Sequence, residues 1–201
     1  MTALSTEELT CKAILLGNSN IGKTCIIKRL CENSYDDLTP VTLGASAKTK
    51  TICFSNTKRL KLQVWDTAGQ ECYRSLNKIF YRDAKIVILV YDITNRKTFE
   101  DLKYYWYRQV ESCCERNPII GIAGNKCDLF NEEQVSDEEA KEFSIKIGAT
   151  FKIISALTGT GINELFKELS AKVFDIKIGG NTKVNNITLK ENKKKKKKCC
   201  R

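Results

Sequence analysis

The chain of 201 residues carries 34 Lys and Arg against 24 Asp and Glu, and it contains no His. A hydrophobic fraction of 42% is typical of a globular domain and argues against a wholly disordered chain. The absence of His excludes histidine catalysis and metal sites that need imidazole. Nine basic residues and one acid lie between positions 181 and 201, so the rest of the chain carries only about +2 of the net charge of +10.

Short apolar runs alternate with segments of helical periodicity. In chain order they predict a strand at 12–17, a helix at 22–33, a hairpin of strands at 49–54 and 60–65, a strand at 85–91, a helix at 98–114, a strand at 119–123, a helix at 136–147, a strand at 151–154 and a helix at 162–174. With a further helix between the third and fourth strands, the order is β-α-β-β-α-β-α-β-α-β-α. This order predicts an α/β fold with a mostly parallel six-stranded sheet and helices on both faces.

Composition divides the chain into four parts. Residues 1–9 are expected to form an N-terminal extension, 10–178 one domain, 179–198 a flexible basic linker, and 199–201 a separate terminal motif. The first residues show no basic segment followed by a long apolar stretch, so a cytosolic location with reduced cysteines is expected.

Residues 17–24, GNSNIGKT, fit the pattern G-x-x-x-x-G-K-[ST] between a predicted strand and a predicted helix. The glycines allow the backbone N–H groups to surround phosphates. Lys23 is expected to neutralise the β- and γ-phosphates, and Thr24 to bind Mg²⁺. The pattern indicates a nucleotide without saying which one.

A second candidate segment, VWDTAGQE at 64–71, follows the second hairpin strand. Asp66 is expected to hold Mg²⁺ through water, Gly69 to sense a γ-phosphate with its N–H, and Gln70 to orient an attacking water. A solvated turn would explain Asp66 and Gly69 singly, but not their position beside a phosphate loop.

The third segment, Asn125, Lys126, Cys127 and Asp128, follows the strand at 119–123. A carboxylate here can accept hydrogen bonds from N1–H and the 2-amino group of guanine, which adenine lacks. Taken alone, N-K-x-D is also a common surface turn, and its position after two phosphate motifs is what favours base recognition.

These motifs and a later Ser155-Ala156 resemble, in order and spacing, the Ras-like small GTPases, which have the P-loop NTPase three-layer fold. WDTAGQE, Phe80-Tyr81-Arg82, VYDIT at 90–94 and two adjacent cysteines near the C-terminus resemble the Rab family. The resemblance spans residues 12–174 and the last three residues.

The resemblance implies GTP or GDP with Mg²⁺ as cofactors. It implies catalytic roles for Lys23, Gln70 and the switch threonine Thr42, with Thr39 as the competing candidate, and Mg²⁺ binding by Thr24, Thr42 and, through water, Asp66. The implied nucleotide contacts come from Ser19, Asn20, Ile21, Gly22, Lys23, Thr24, Cys25, Tyr35, Thr42, Gly69, Asn125, Lys126, Asp128, Ser155, Ala156 and Leu157. Tyr35 matches an aromatic residue that leans on the guanine, and the Ala156 N–H matches a donor to the base oxygen.

Three positions depart from the family pattern. Leu157 stands where the family usually has Lys, Ala47 where Rabs usually carry Phe, and Phe80 at a usual Tyr. In the family, that Phe, a Trp (Trp65 here) and that Tyr form an aromatic set facing effectors, so these departures bear on the choice of partner.

The C-terminus combines six consecutive lysines, at 193–198, with Cys199 and Cys200. A lysine run alone fits a solvated segment, a nuclear-localisation or nucleic-acid patch, or an anionic membrane. The cysteines resemble Rab endings that carry two geranylgeranyl groups, and two lipids give stable anchoring where one does not. The expectation is therefore a membrane and not nucleic acid.

The sequence thus predicts a monomeric GTPase that hydrolyses GTP and regulates vesicle traffic from the cytosolic face of an organelle, with a weak preference for endosomes. The implied partners are an exchange factor, a GTPase-activating protein, prenylation and GDI machinery, and effectors. Two alternatives stay open: an ATP-dependent phosphotransferase, and a membrane scaffold that holds GTP without turnover.

Overall fold

A computed structural model of the chain describes residues 7–36, 45–67, 80–114 and 116–179. Its strands are β1 (Glu7–Leu16), β2 (Ala45–Cys53), β3 (Lys58–Thr67), β4 (Ala84–Asp92), β5 (Ile119–Asn125) and β6 (Thr150–Ile153). Its α-helices are α1 (Lys23–Glu32), α2 (Arg96–Asp101), α3 (Tyr107–Cys113), α4 (Asp137–Lys146) and α5 (Ile162–Gly179). A π-helical turn, Leu102–Trp106, joins α2 to α3, and a 3₁₀ helix, Cys127–Glu132, follows β5.

The six strands form one sheet in the order β2-β3-β1-β4-β5-β6. All neighbouring pairs are parallel except β2 and β3, which form the predicted antiparallel hairpin. Ligands of such sheets bind at the carboxyl ends of the strands. The loops after β1, β3, β4, β5 and β6 therefore belong to one edge of the molecule.

Successive residues of the inner strands point to opposite faces of the sheet, and both faces are covered. Ala13 and Leu15 of β1 belong to a buried cluster with α1 and α5, whereas Ile14 and Leu16 belong to a second cluster with α2, α3 and α4. The continuous apolar runs of β1 and β4 follow from this burial on both sides. The predicted three-layer α/β fold is confirmed.

Each of the six strands begins or ends outside its predicted bounds, and β1 and β5 are the two cases with a clear consequence. β1 starts at Glu7, within the segment expected to be an N-terminal extension, because Glu7 to Thr10 pair in register with β3. β5 continues to Asn125, so the strand itself delivers a side chain to the edge where ligands bind. Residues 68–79, which include most of the segment where a helix is expected between the third and fourth strands, are outside the described part of the chain, so that expectation stays a prediction.

Candidate functional site at the carboxyl ends of the strands

The loop between β1 and α1 is closed tightly by two glycines. Gly17 has φ 144° and Gly22 has φ 92°, conformations that side chains disfavour. A Cβ on Gly17 would lie 2.4 Å from the carbonyl oxygen of Val90, and one on Gly22 would lie 2.5 Å from Nδ2 of Asn125. The loop therefore packs directly against the ends of β4 and β5, with no room for a side chain at either glycine.

The ammonium group of Lys23 lies inside this loop. The side chain is only 6% exposed, and Nζ donates to the carbonyl oxygens of Gly17 at 2.8 Å and Asn18 at 2.6 Å. Lys23 is also the first residue of α1, where helix N–H groups and the helix dipole favour anions. A buried cation at the N-terminus of a helix is an arrangement suited to phosphate.

The other residues predicted for this loop share the same turn. Asn20 is exposed with φ 62°, a left-handed conformation that Asn tolerates. Ile21 is buried in the core, while Ser19, Thr24 and Cys25 are half-buried.

Oxygen ligands suited to Mg²⁺ come from two neighbouring elements. Asp66 near the end of β3 is buried, and Thr24 stands in the first turn of α1. Since β3 pairs with β1 in parallel, both residues belong to the same edge of the sheet. A hydroxyl and a carboxylate are the hard oxygen donors that Mg²⁺ takes together with substrate phosphates, so these residues fit the ion.

Asn125 connects the phosphate loop to the loop after β6. Its side chain is 1% exposed; Nδ2 donates to the carbonyl oxygen of Ile21 at 2.7 Å, and Oδ1 accepts from the N–H of Ala156 at 3.1 Å. One buried amide thus holds together two loops that are 104 and 31 residues away from it along the chain. The Ala156 N–H, which the resemblance assigns to a base oxygen, already has an acceptor in Asn125.

The carboxylate of Asp128 is oriented by the loop after β6. The Ser155 hydroxyl donates to its Oδ1 at 2.5 Å, and the same hydroxyl oxygen accepts from the N–H of Thr158 at 3.1 Å. A carboxylate fixed in this way can accept from two parallel N–H groups on the edge of a base.

Comparison with known proteins agrees with this geometry. Residues 12–175 match the Ras family. The chain is 41% identical to the Ras-related protein Rab-22A of Homo sapiens over 162 residues, which cover 81% of the chain and 82% of that protein. It is 43% identical to the putative ras-related protein Rab-5B of Dictyostelium discoideum over 164 residues, covering 82% and 75%. It is 35% identical to the GTP-binding protein ypt2 of Schizosaccharomyces pombe over 193 residues, covering 94% and 95%.

The chain belongs to the Rab family of small GTPases. Ras-family GTPases bind GTP or GDP, usually with Mg²⁺, and GTP hydrolysis and membrane trafficking are functions of the family. Within the described residues of this Rab, no helix combines the length and the apolar character needed to cross a membrane.

Two charged residues to which the sequence assigned no role hold the loops after β5 and β6 of this Rab. Asp92, the last residue of β4, pairs through Oδ2 with Nζ of Lys126 at 2.5 Å, and its Oδ1 accepts from the N–H and hydroxyl of Thr94. Arg29 of α1 donates to the carbonyl oxygens of Ala156 at 3.0 Å and Leu157 at 2.6 Å. An acid that directly ends a buried strand was a visible signal for Asp92, whereas nothing in the sequence pointed to Arg29.

The structure describes all three positions that depart from the Rab pattern. Leu157 is 46% exposed in the loop after β6, so its apolar side chain is accessible. Ala47 lies directly across the strand pair from Trp65, and the rings of Trp65 and Phe80 are 6.3 Å apart at 55°. The three positions of the expected aromatic set are thus near one another, with Ala47 as its small member.

Of the other predicted site residues, the structure describes only Tyr35. Tyr35 is half-buried and packs against the core cluster of α1 and α5. The remaining predicted residues lie outside the described part of the chain: Thr42 and its rival Thr39, Gly69, Gln70, Cys199 and Cys200.

Proposed function

We propose that this Rab is a switch that binds GTP, hydrolyses it to GDP and phosphate, and recruits effectors to a membrane in its GTP state. The observation that carries the proposal is the connection made by Asn125 between the phosphate loop and the loop that orients Asp128. This connection supports the proposal because it joins the loop expected to bind the phosphates to the loop that orients Asp128.

Lys23 and the backbone of the phosphate loop bind the phosphates, and Thr24 and Asp66 hold the ion. Bound Mg²⁺ supplies charge neutralisation at the phosphate oxygens. The proposed position of Lys23 rests on its two hydrogen bonds within the loop, which keep the ammonium at the loop centre.

Selectivity for guanine comes from the carboxylate of Asp128, which accepts from N1–H and the 2-amino group. Adenine offers no such pair, and a buried acceptor left unpaired costs about 1–3 kcal/mol. The base oxygen would share the Ala156 N–H with Oδ1 of Asn125, and Leu157 supplies an apolar contact in place of the usual Lys stem.

For hydrolysis, the proposal assigns Gln70 to orient the attacking water and Lys23 to stabilise charge on the phosphoryl oxygens. Thr42 binds the ion in the GTP state. The segments that contain Thr42 and Gly69 are ordered by contacts with the γ-phosphate and released after hydrolysis. An activating protein supplies an arginine where turnover has to be fast.

Nucleotide competition tests base selectivity. GTP and GDP are expected to displace a fluorescent GDP analogue from the full chain, whereas ATP at the same concentration is not. Asp128→Asn should weaken GDP binding at least about tenfold, equivalent to 1.4 kcal/mol. Glu132→Gln, which changes an exposed acid of the same 3₁₀ helix, is the matched control. Displacement by ATP as effective as by GTP would instead support a phosphotransferase.

Single-turnover release of phosphate tests the role of Gln70. Gln70→Leu removes the group that orients water, so we expect the rate to fall at least about tenfold while GTP affinity is kept. Gln63→Leu, at an exposed position of β3, is the control. Equal rates for Gln70→Leu and the parent would favour the alternative of a GTP-holding scaffold at membranes.

The proposed partners follow from the Rab family. They are an exchange factor, a GTPase-activating protein, prenylation and GDI machinery, effectors, and the anionic cytosolic surface of an organelle, for which endosomes are the first candidate. We further propose that the protein acts as a monomer and does not bind nucleic acid.

A further inference from the structure

A hydrogen-bonded bridge links the phosphate loop to the helical segment after β4. The amide nitrogen of Asn18 donates to Oδ2 of Asp101 at 2.6 Å, and the amide oxygen of Asn18 accepts from the indole Nε1 of Trp106 at 2.7 Å. The partners are 83 and 88 residues from Asn18 along the chain. We call these three residues the Asn18 bridge.

The π-helical turn explains how both partners reach one side chain. Asp101 and Trp106 are five residues apart, which in an α-helix would separate them by about 140° around the axis. The turn between them closes instead with a hydrogen bond from the N–H of Tyr107 to the carbonyl oxygen of Leu102, five residues back. In that geometry residues five apart are separated by a smaller angle around the axis than in an α-helix, and such turns are frequent at functional sites.

Burial shows why Trp106 needs this acceptor. Trp106 is 6% exposed and packs in the core cluster with Phe99, Leu102 and Val110. A buried indole N–H is destabilising unless it finds an acceptor, and the amide oxygen of Asn18 provides one.

Asn18 also contacts the buried cation of the loop. Its carbonyl oxygen accepts from Nζ of Lys23 at 2.6 Å, while its side chain is held by the helical segment. One residue therefore connects the ammonium that the proposed function assigns to the phosphates with a rigid element of the opposite sheet face.

We propose that Asp101 and Trp106 are positioning residues for nucleotide retention. They fix Asn18, and through its carbonyl oxygen they hold Lys23 in the geometry that binds phosphate. The inference rests on the proposed function as a guanine-nucleotide switch. Loss of the bridge is expected to increase the rate of nucleotide release, and this increase should not simply follow any decrease in melting temperature.

The two hydrogen bonds run in opposite directions, which makes a reciprocal exchange possible. Asn18→Asp keeps an acceptor for Trp106 but sets a carboxylate against that of Asp101. Adding Asp101→Asn supplies an amide donor to the new carboxylate and restores the bond with its direction reversed. Asp101→Asn alone still offers an acceptor oxygen to Asn18.

The experiment measures the release rate of a fluorescent GDP analogue from the full chain at fixed Mg²⁺. We expect Asn18→Asp to accelerate release about tenfold, the double exchange to return it to within about twofold of the parent, and Asp101→Asn alone to change it less than about threefold. Trp106→Phe, which keeps a ring in the core but removes the donor, should accelerate release about threefold or more. Tyr104→Phe, an exposed residue of the same π turn, is the control and should leave the rate unchanged.

Thermal unfolding of each variant is measured in parallel, because a purely structural role would lower the melting temperature without following the pattern of rescue. Failure of the double exchange to slow release relative to Asn18→Asp would overturn the inference. Should Asn18→Asp not fold, Trp106→Phe decides, and an unchanged release rate in that variant would equally overturn it. A parent chain that retains no GDP analogue would show that the proposed function itself is wrong, before any variant is compared.

Discussion

At the scale of single residues, this Rab depends on side chains that bond two partners from different loops. The buried side-chain amide of Asn125 donates one hydrogen bond and accepts another. An ionised carboxylate of similar size could accept from the Ala156 N–H but could not donate to the Ile21 carbonyl, and a hydrocarbon could do neither. The chemistry of the amide, and not only its volume, is therefore required.

We expect Asn125→Ala to destabilise the fold and to weaken nucleotide binding together. The change leaves the Ile21 carbonyl and the Ala156 N–H without their partner, at a cost of about 1–3 kcal/mol for each buried group. Chemical denaturation would measure the loss of unfolding free energy, and GDP titration would measure the affinity. The control is Asn131→Ala, which alters an exposed Asn in the 3₁₀ helix. Equal stability of the two variants would contradict this role of Asn125.

At the scale of elements, the apolar pattern was sufficient to predict the type and the order of the described strands and α-helices. The runs that predict β4 and β5 are continuous because both faces of these strands are buried. The predicted helix at 98–114 agrees with the helical run from α2 to α3 to within two residues at each end. Its π turn has no signature in periodicity, because Phe99, Leu102, Trp106 and Val110 also fit a regular α-helix.

The site was predictable only where it is contiguous in sequence. The phosphate loop and the Asn125 segment could be proposed from the sequence because their residues are neighbours along the chain. The supporting contacts of Arg29, Asp92 and Asp101 join loops that are distant in sequence, and only the packing of helices on the sheet brings them together. Sequence patterns report local geometry, so such partners were missed.

A network of charged residues joins α2 to α4 across their exposed faces. Glu139 accepts from both terminal nitrogens of Arg96, one of them at 2.7 Å, and from Lys103 at 3.4 Å. The hydrogen bonds from Arg96 are the main reason that the pKa of Glu139 lies below its ordinary value, although partial burial opposes the effect. The stabilisation is present above the pKa of the unfolded chain and is lost as the pH falls through the lower pKa of the folded state.

Glu139→Gln should therefore lower the melting temperature near neutral pH, by no more than about 2 °C because the pair is largely exposed. The difference from the parent should shrink as the pH is lowered from 7 towards 3, where the parent also loses the charge. Calorimetry across this range would measure it, with Glu142→Gln, an exposed acid of the same helix, as the control. A melting-temperature difference between Glu139→Gln and the parent that grows on acidification would contradict the predicted direction of the pH dependence.

At the scale of the whole molecule, charge and chemistry are separated. The described domain carries its polar site at the carboxyl ends of the strands, and the excess positive charge of the chain belongs to residues 181–201. In the proposed attachment, the six lysines would contribute roughly 1 kcal/mol each near an anionic leaflet, in addition to the two lipid groups. The proposed attachment can then be removed without altering the nucleotide site.

The double substitution of Cys199→Ser and Cys200→Ser should move the protein from membranes to the soluble fraction in cells, while GDP affinity stays the same. Fractionation of a tagged full-length chain measures the first effect, and titration of the purified protein measures the second. Cys53→Ser, at an exposed cysteine of β2, is the matched control. Retention of the double variant on membranes would refute dual lipidation.

The hairpin strand β2 ends the sheet on one side, and its outer backbone groups are a template on which another extended chain can pair. Lys48 and Lys50 stand two residues apart on this strand, and Lys48 is held by Glu32 of α1 at 2.5 Å. Lysines on an edge strand disfavour the pairing of a second chain along that edge. We therefore expect this edge to resist edge-to-edge association of folded copies, with Lys50 contributing more repulsion than the ion-paired Lys48.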